Sequence, residues 1–449
     1  MDTLQKARAE IDRIDAQMAA LFEARMAEAA EIAAWKRENG RPVRDPAREA
    51  QLLAENAARI EDPALRPYYE AFLRQLTGLS RDYQTELLRP DGPERLRVRS
   101  AQGAYPLLLR RGLLRELGTL LPGDRKVFLV TDDGVPAEYT EAVALGCRCA
   151  GRFVLPRGEA HKTPDALTAL LSAMLEAELR RGDCVVAVGG GVVGDLAGLA
   201  AALYMRGIDW YSIPTTLLAM ADASVGGKTA VNLNGIKNAA GAFWPPRAVL
   251  IDPDTLKTLP PRQLANGLAE AVKMALTHDA ALFARFEDPA GYGPVEDVIA
   301  ACLRIKRAVV EADERESGAR RALNFGHTLG HGLEAAAGGA LLHGECVALG
   351  MLPMCAPELR ERLIKVLERL GLPTYVNLDA LDPDAVMDAV LHDKKQTAEG
   401  ILSVFVPEPG RWLLQALSPE TLRERLTTLD RQDRSCRGRS PASREDPHE

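Results

Sequence analysis

Four side chains carry the strongest chemical signal in the sequence. Glu270 lies in Gly267-Leu268-Ala269-Glu270-Ala271-Val272-Lys273, His327 and His331 lie in Asn324-Phe325-Gly326-His327-Thr328-Leu329-Gly330-His331, and His343 opens His343-Gly344-Glu345. One carboxylate with two imidazoles and open positions is the composition of a catalytic zinc site. His327 and His331, at i and i+4, share a helix face and could chelate one ion as a pair. Spacing alone favours that pair. Cationic residues surround the set in sequence: Lys228, Lys273, Lys306, Arg320 and the Lys394-Lys395 pair. With a formal net charge of −7, an anionic substrate must be held by local clusters of Lys and Arg and not by the field of the whole protein.

Upstream, the apolar run Cys184–Val188 leads into Gly189-Gly190-Gly191-Val192-Val193-Gly194-Asp195. A glycine-rich turn after a strand lets backbone N–H groups approach a pyrophosphate. Further polar motifs follow at Tyr204-Met205-Arg206-Gly207, Pro214-Thr215-Thr216, Asp222-Ala223-Ser224-Val225-Gly226-Gly227-Lys228 and Gly235-Ile236-Lys237-Asn238.

A second group of polar residues sits in the first 88 positions: Arg8, Arg25, Lys36, Asp45, Arg48, Glu49, Ser80 and Gln84. Ser80 and Gln84, four apart, share a helix face.

Two kinds of element must position these groups. Leu4, Ile11, Ile14, Met18, Leu21, Phe22, Met26 and Ile32 recur near the helical period, which predicts one long helix over 3–38 that Asn39-Gly40 and Pro42 end. Asp45-Pro46 and Asp62-Pro63 predict the starts of a second helix, to about Ile60, and a third, to about Leu87. Three helices of this length cannot bury their apolar stripes alone and call for helices from a second copy. The turn-rich segment 89–95 reads as a linker. Beyond it, bounded apolar runs at Val127–Val130 and Cys184–Val188 alternate with helical stretches such as Asp165–Arg180, the pattern of a parallel α/β sheet. From about 255 to 390 helical patterns dominate, with a late strand at Ile401–Val406, and the tail from 431 is polar.

The 449 residues, 47% hydrophobic and 27% charged, suit a soluble multidomain protein. No apolar run reaches membrane-spanning length, and the N-terminus lacks the apolar stretch of a signal peptide. Seven scattered cysteines fit reduced thiols in a cytoplasmic protein, and nothing points to nucleic acid or membrane partners.

The two groups of motifs resemble two families. Residues 3–87, through Arg25, Lys36, Arg41-Pro42-Val43-Arg44-Asp45, Arg48-Glu49 and Ser80-x-x-x-Gln84, resemble the all-helical chorismate mutases. Residues 98–420 are similar to 3-dehydroquinate synthases. Together they imply a multidomain chain: an all-α mutase module (1–88), a linker (89–97), an α/β parallel-sheet NAD-binding domain (98–254), an all-α metal- and substrate-binding domain (255–430) and a disordered tail (431–449).

The mutase resemblance implies that Arg25 and Arg48 hold the two carboxylates of chorismate and that Lys36 and Gln84 address its ether oxygen. Asp45, Glu49 and Ser80 would contact the hydroxyl and neighbouring groups, and Arg8 would reach in from a partner subunit. Such a rearrangement to prephenate needs no nucleophile, only clamping and charge stabilisation.

The synthase resemblance makes Glu270, His327 and His343 the ligands of a zinc or cobalt ion and moves His331 to the substrate side as an acid/base residue, with Glu316, Lys273 and Lys228 as further catalytic candidates. Substrate contacts fall on Arg206 (across a dimer), Asp222, Lys228, Asn238, Lys306, Arg320, Asn324 and Lys394. NAD contacts fall on Asp132, Glu159, Lys162, Gly190, Gly191, Asp195, Thr215, Thr216, Lys237, Asn266 and the segment Thr255, Leu256, Lys257, Thr258. Asp132-Asp133-Gly134 departs from the family, which often has Asn as the third residue. The implied reaction converts 3-deoxy-D-arabino-heptulosonate 7-phosphate to 3-dehydroquinate and phosphate through a redox cycle that regenerates NAD. Competing readings are a metal-dependent polyol dehydrogenase of the same architecture, a cyclase for another heptulose phosphate, and a helical module that senses chorismate or prephenate without turning it over. A homodimer is expected.

Overall fold

In a computed structural model, the described residues are 3–38, 46–88, 94–314, 318–378, 380–392, 396–397 and 400–430. The expected disordered tail and the Arg41–Asp45 motif lie outside them. The chain divides into two compact units, residues 1–93 and 94–449.

The first unit is three helices: α1 (Thr3–Glu38), α2 (Pro46–Ala57) and α3 (Arg66–Leu88). α1 packs along α3, with Ala29, Ala33 and Leu73 buried in this unit. α3 starts later than the Asp62-Pro63 signal predicts. Asp62 instead closes a turn, its carboxylate accepting from Ala64 N at 2.9 Å and its carbonyl from Leu65 N at 3.1 Å. The helix begins four residues on, at Arg66-Pro67. The 36 residues of α1 outreach the 23 of α3. Over its first half Leu4, Ile11, Met18 and Leu21 remain 54%, 56%, 46% and 70% exposed.

The second unit is built on a seven-stranded sheet. Its strands are β1 (Glu94–Ser100), β2 (Gly103–Leu109), β3 (Lys126–Asp132), β4 (Arg148–Leu155), β5 (Cys184–Gly189), β6 (Asp209–Pro214) and β9 (Ala248–Ile251), in the order β1-β2-β9-β6-β5-β3-β4. From β2 to β4 the pairing is parallel, and only β1 runs antiparallel. β1 occupies part of the segment expected to be linker. Glu-Arg-Leu-Arg-Val-Arg-Ser alternates cleanly, burying Leu96 and Val98 and turning Arg97 and Arg99 outward. A separate hairpin, β7 (Lys228–Leu233) and β8 (Ile236–Phe243), lies between β6 and β9 in the chain.

Helices α4 (Pro164–Glu176) and α5 (Gly191–Leu203) cover one face of the sheet, sharing an apolar cluster with β3, β5 and β6. The remaining helices include α6 (Pro261–His278), α7 (Val295–Ala312), α8 (His327–Ala336) and α9 (His343–Met351). They do not form a core of their own. Val98, Leu107, Val249 and Ile251 of the sheet belong to the same buried cluster as Leu268, Val272, Leu303, Leu329 and Val347 of the helices. Residues on both sides of the expected boundary near 254 thus contribute to one buried cluster. The helical part also carries a small antiparallel sheet, β10 (Gln396–Thr397), β11 (Gly400–Glu408) and β12 (Arg411–Leu417), of which the sequence announced only the middle strand.

The six described cysteines are free thiols. Among the described residues no helix is long and apolar enough to cross a membrane.

Candidate active sites

Three donors converge in the second unit. Glu270 on α6, His327 at the start of α8 and His343 at the start of α9 place ligand atoms within 4.8 Å of one another. Both imidazoles present Nε2 to the same oxygen, Glu270 Oε1, at 3.6 Å from His327 and 3.5 Å from His343. These gaps are too long for hydrogen bonds. They match the spacing of about 3.4 Å between two atoms bound at about 2.1 Å to one tetrahedral ion. Glu270 is fully buried, and neither of its oxygens accepts a hydrogen bond of normal geometry. The buried carboxylate and its flanking imidazoles thus fit a divalent cation.

The outer nitrogens are fixed as well. His327 Nδ1 lies 3.1 Å from the Phe325 carbonyl, and His343 Nδ1 lies 3.1 Å from Glu334 Oε2. Burial disfavours charge on His343, but the two carboxylates, Glu270 and Glu334, outweigh it and raise its pKa to about 9. Burial likewise opposes charge on Glu270, and Lys273 with His343 holds its carboxyl well below the ordinary range.

His331, one helical turn after His327, keeps its ring 5.1 Å from that of His327 and 6.0 Å from that of His343. It stands beside the three-donor set and is not a member of it. The three-donor set differs from the i, i+4 pair that spacing favours, because α9 brings in His343 and α6 brings in Glu270.

An alternating ionic row leads away from the donors. Lys273 pairs with Glu270 and lies 3.9 Å from Asp222, and Lys306 of α7 pairs with Asp222. Asp222 sits on a single widened helical turn, Ala219–Ala223. Burial alone would strip Lys273 of its charge, but Glu270 and Asp222 raise its pKa above the ordinary value. Lys306 is lowered, because burial and the nearby positive charges of Lys273 and Arg320 outweigh Asp222. Arg320, 2% exposed, donates from Nη1 to the Glu314 carbonyl at 2.6 Å. It lies so close to Gly226 that a Cβ there would come within 2.6 Å of Nη2, and Gly226 also holds a left-handed φ of 108°. Asn324 ends the short turn Ala319–Asn324 just before α8.

The glycine turn forms a cleft at the mouth of β5 that Gly190, Gly191, Asp195, Ser224 and Lys228 line. α5 starts there with Gly190 as its N-cap and no side-chain cap. A Cβ at Gly190 would lie 3.2 Å from the Thr216 methyl, so the backbone itself forms the floor. Ser224 Oγ is buried without a hydrogen-bond partner among the described residues. A bare helix N-terminus with an unmatched hydroxyl nearby suits a phosphate-bearing cofactor. Lys162 is buried beside it, pairing with Asp195 and donating to Asn238 Oδ1 at 2.5 Å. Burial pushes the Asp195 carboxyl up to about 6, against the pull of Lys162. Glu159 accepts from Asn232 Nδ2 at 2.9 Å, and Thr215 N donates to the Gly189 carbonyl at 3.0 Å.

Other residues expected at the cofactor have local partners. Asp132 accepts from Gly134 N at 2.8 Å. Thr255 donates to the Asp252 carbonyl at 2.9 Å, Leu256 packs on the core, Lys257 pairs with Asp254 at 2.8 Å, and Thr258 meets Tyr139 at 2.9 Å. Asn266 Oδ1 accepts from Gly344 N at 2.6 Å, which fixes the first turn of α9. Arg206 is exposed on a turn with a left-handed φ of 69° and makes no hydrogen bond or ion pair with a described residue. Glu316, Lys394 and Lys395 lie outside the described residues.

In the first unit Lys36 Nζ donates to Gln84 Oε1 at 3.3 Å, joining α1 to α3. Ser80 and Gln84 are buried, and Arg25 Nη1 is buried without a hydrogen-bond partner among the described residues. Glu49 pairs with Arg81 at 3.3 Å, a cation that sequence reasoning passed over. Arg8 and Arg48 are exposed. Asp45 lies outside the described residues.

Residues 152–266 match the family model for the 3-dehydroquinate synthase N-terminal region, 267–396 that for its C-terminal region, and 7–85 that for chorismate mutase type II. A 3-dehydroquinate synthase of Symbiobacterium thermophilum is 43% identical over 355 residues, spanning 73% of this chain and 98% of the relative. Two solved structures share the fold. A 2-epi-5-epi-valiolone synthase from Streptomyces hygroscopicus subsp. jinggangensis, with NAD+ and Zn2+ bound, has a TM-score of 0.67 at 29% identity, covering 74% of this chain and 97% of that one. A 2-deoxy-scyllo-inosose synthase complexed with carbaglucose-6-phosphate, NAD+ and Co2+ has a TM-score of 0.66 at 26% identity, covering 74% and 99%. With the donor set, the glycine cleft and these matches together, the chain belongs to the 3-dehydroquinate synthase family and carries a chorismate mutase type II domain at its N-terminal end.

Proposed function

We propose that this chain is bifunctional, rearranging chorismate to prephenate in its first unit and cyclising 3-deoxy-D-arabino-heptulosonate 7-phosphate to 3-dehydroquinate plus phosphate in its second. The observation that carries the synthase reading is the convergence of Glu270, His327 and His343 beside the buried row Lys273–Asp222–Lys306. A polyol dehydrogenase needs the donors but has no use for the buried cations Lys273, Lys306 and Arg320 beside them, which suit a substrate bearing a phosphate and a carboxylate.

Glu270, His327 and His343 would hold zinc or cobalt, and the cleft at Gly190 and Gly191 would hold NAD. When bound, NAD supplies a reversible hydride acceptor and the ion supplies Lewis acidity at the reacting oxygen. The chain's own residues do the rest. Lys306 and Arg320, both buried, act on the substrate's anionic groups in a medium where each ion pair counts for more than in water. Lys273 stays charged between two carboxylates and keeps its ammonium fixed. His331 stands beside the ion site, where it can take and return a proton to the substrate. Arg206 reaches a neighbouring subunit's site, Glu316 serves as a further acid/base group, and Lys394 completes the substrate contacts. NAD would also meet Asp132, Glu159, Lys162, Asp195, Thr215, Thr216, Lys237 and Asn266.

In the first unit, Arg25 and Arg48 clamp carboxylates, Lys36 and Gln84 donate toward the ether oxygen, and Asp45, Glu49 and Ser80 orient the ring. The buried, unmatched Nη1 of Arg25 supports this reading, since an orphan donor there gains a strong charge-assisted bond when a carboxylate enters. The unit works as a homodimer in which Arg8 crosses to the partner. The uncovered apolar stripe on the first half of α1 favours such pairing.

The discriminating assay supplies the heptulosonate phosphate with catalytic NAD and follows phosphate and NADH together. Phosphate released over many turnovers with no NADH accumulation supports the synthase. NADH accumulating without phosphate would establish a dehydrogenase.

A further inference from the structure

Glu334 has no role in any reading above, yet it touches both sides of the site. It lies on α8, seven residues after His327 and three after His331, so all three share one face of the helix. Its side chain is only 10% exposed. One oxygen, Oε2, meets His343 Nδ1 at 3.1 Å. The other, Oε1, meets Lys237 Nζ at 2.6 Å. His343 turns its other nitrogen, Nε2, toward Glu270. Lys237 stands on β8, next to Asn238, whose side chain is bound to Lys162 of the cofactor cleft.

We propose that Glu334 is a positioning residue that orients His343 for its ion and, through Lys237, ties that orientation to the β7–β8 hairpin. The inference rests on the reading of His343 as a ligand. A ligating imidazole is held in one tautomer and one ring orientation by what its second nitrogen bonds. For His327 that partner is the backbone carbonyl of Phe325, which no substitution removes. For His343 it is a carboxylate shared with a residue on a hairpin, so movement of the hairpin reaches the ion site in one step. The chemistry is that of a carboxylate–histidine–metal relay with a lysine at its outer end. The lysine offsets the extra negative charge and holds the carboxylate plane.

The test measures the affinity of the full-length, ion-stripped protein for Co2+ by competition with a chromophoric chelator. Glu334→Gln keeps the shape and removes the charge, and it is expected to weaken Co2+ binding by about 10- to 100-fold. Glu334→Asp is expected to recover part of the loss. Lys237→Met should weaken binding in the wild-type background and have no further effect in the Glu334→Gln background. Wild-type Co2+ affinity in Glu334→Gln overturns the inference, as does a Lys237→Met effect of equal size in both backgrounds. If Glu334→Gln does not fold, Lys237→Met, on an exposed hairpin residue, decides alone, and wild-type affinity there overturns the coupling. His343→Ala separates the two levels. Retention of Co2+ by His343→Ala overturns the ligand reading itself, whereas its loss there with wild-type affinity in Glu334→Gln overturns only the role of Glu334.

Discussion

Lys36 Nζ donates to Gln84 Oε1 at 3.3 Å, joining the last turns of α1 and α3 into one polar face. Arg25 lies eleven residues earlier on α1, close to three full turns, so it shares that face. Arg25→Ala is expected to lower chorismate turnover by on the order of 10²–10³ or more, the scale of losing one fixed donor to developing charge. Phosphate release should stay within about twofold, because the two units have separate cores. Parallel assays of the purified variant check this, and loss of both activities in a folded protein would contradict it.

The metal assignment separates two histidines four residues apart. His343→Ala is expected to lose its bound ion, and His331→Ala to keep the ion and lose turnover. Elemental analysis of the two variants decides between this set and the His327–His331 pair. An ion lost from His331→Ala would restore the pair.

Arg8 lies 28 residues before Lys36 on one helix, roughly 40 Å along its axis. A rigid helix cannot bring both into one pocket of the same chain. Mixing Arg8→Ala with Arg25→Ala protein should therefore return partial mutase activity, since one site of each mixed dimer would be intact. Subunit exchange without any recovery would exclude a shared site.

Asp195 gives a pH signature. Burial raises its folded pKa from the ordinary 3.8 to about 6. The folded state then binds this proton more tightly than the unfolded chain does. Its contribution to stability is fully present below about pH 4 and is lost as pH rises through about 6. Asp195→Asn should remove that part of the slope. Unfolding midpoints of the two proteins, followed from pH 4 to 7, should diverge in slope across this window. Parallel slopes would place the Asp195 carboxyl at its ordinary pKa.

Much of this was legible before the structure. The 3.6 period announced α1, and the apolar runs with a glycine turn announced β5 and α5, because local patterns encode local structure. Glu334 was not legible, because a single acid in an alanine-rich helix carries no signal until His343 arrives from α9. The pairing of Asp222 with Lys306, 84 positions apart, and of Glu49 with Arg81 was hidden for the same reason. The β1 strand was missed because its arginines and the nearby proline and glycine outweighed a short alternation. That the sheet and the helices beyond 254 share one buried cluster was not legible either, because contacts between distant segments leave no local pattern.

The two proposed chemistries of the chain are independent, and only one of them depends on an ion. The direct measurement follows chorismate loss and phosphate release from the heptulosonate substrate on one purified preparation, with and without EDTA. Both activities are expected without chelator. With EDTA, phosphate release should stop and return on adding Zn2+ or Co2+, while chorismate loss continues unchanged. Phosphate release that survives complete removal of the ion, or a preparation that never consumes chorismate, would contradict the account.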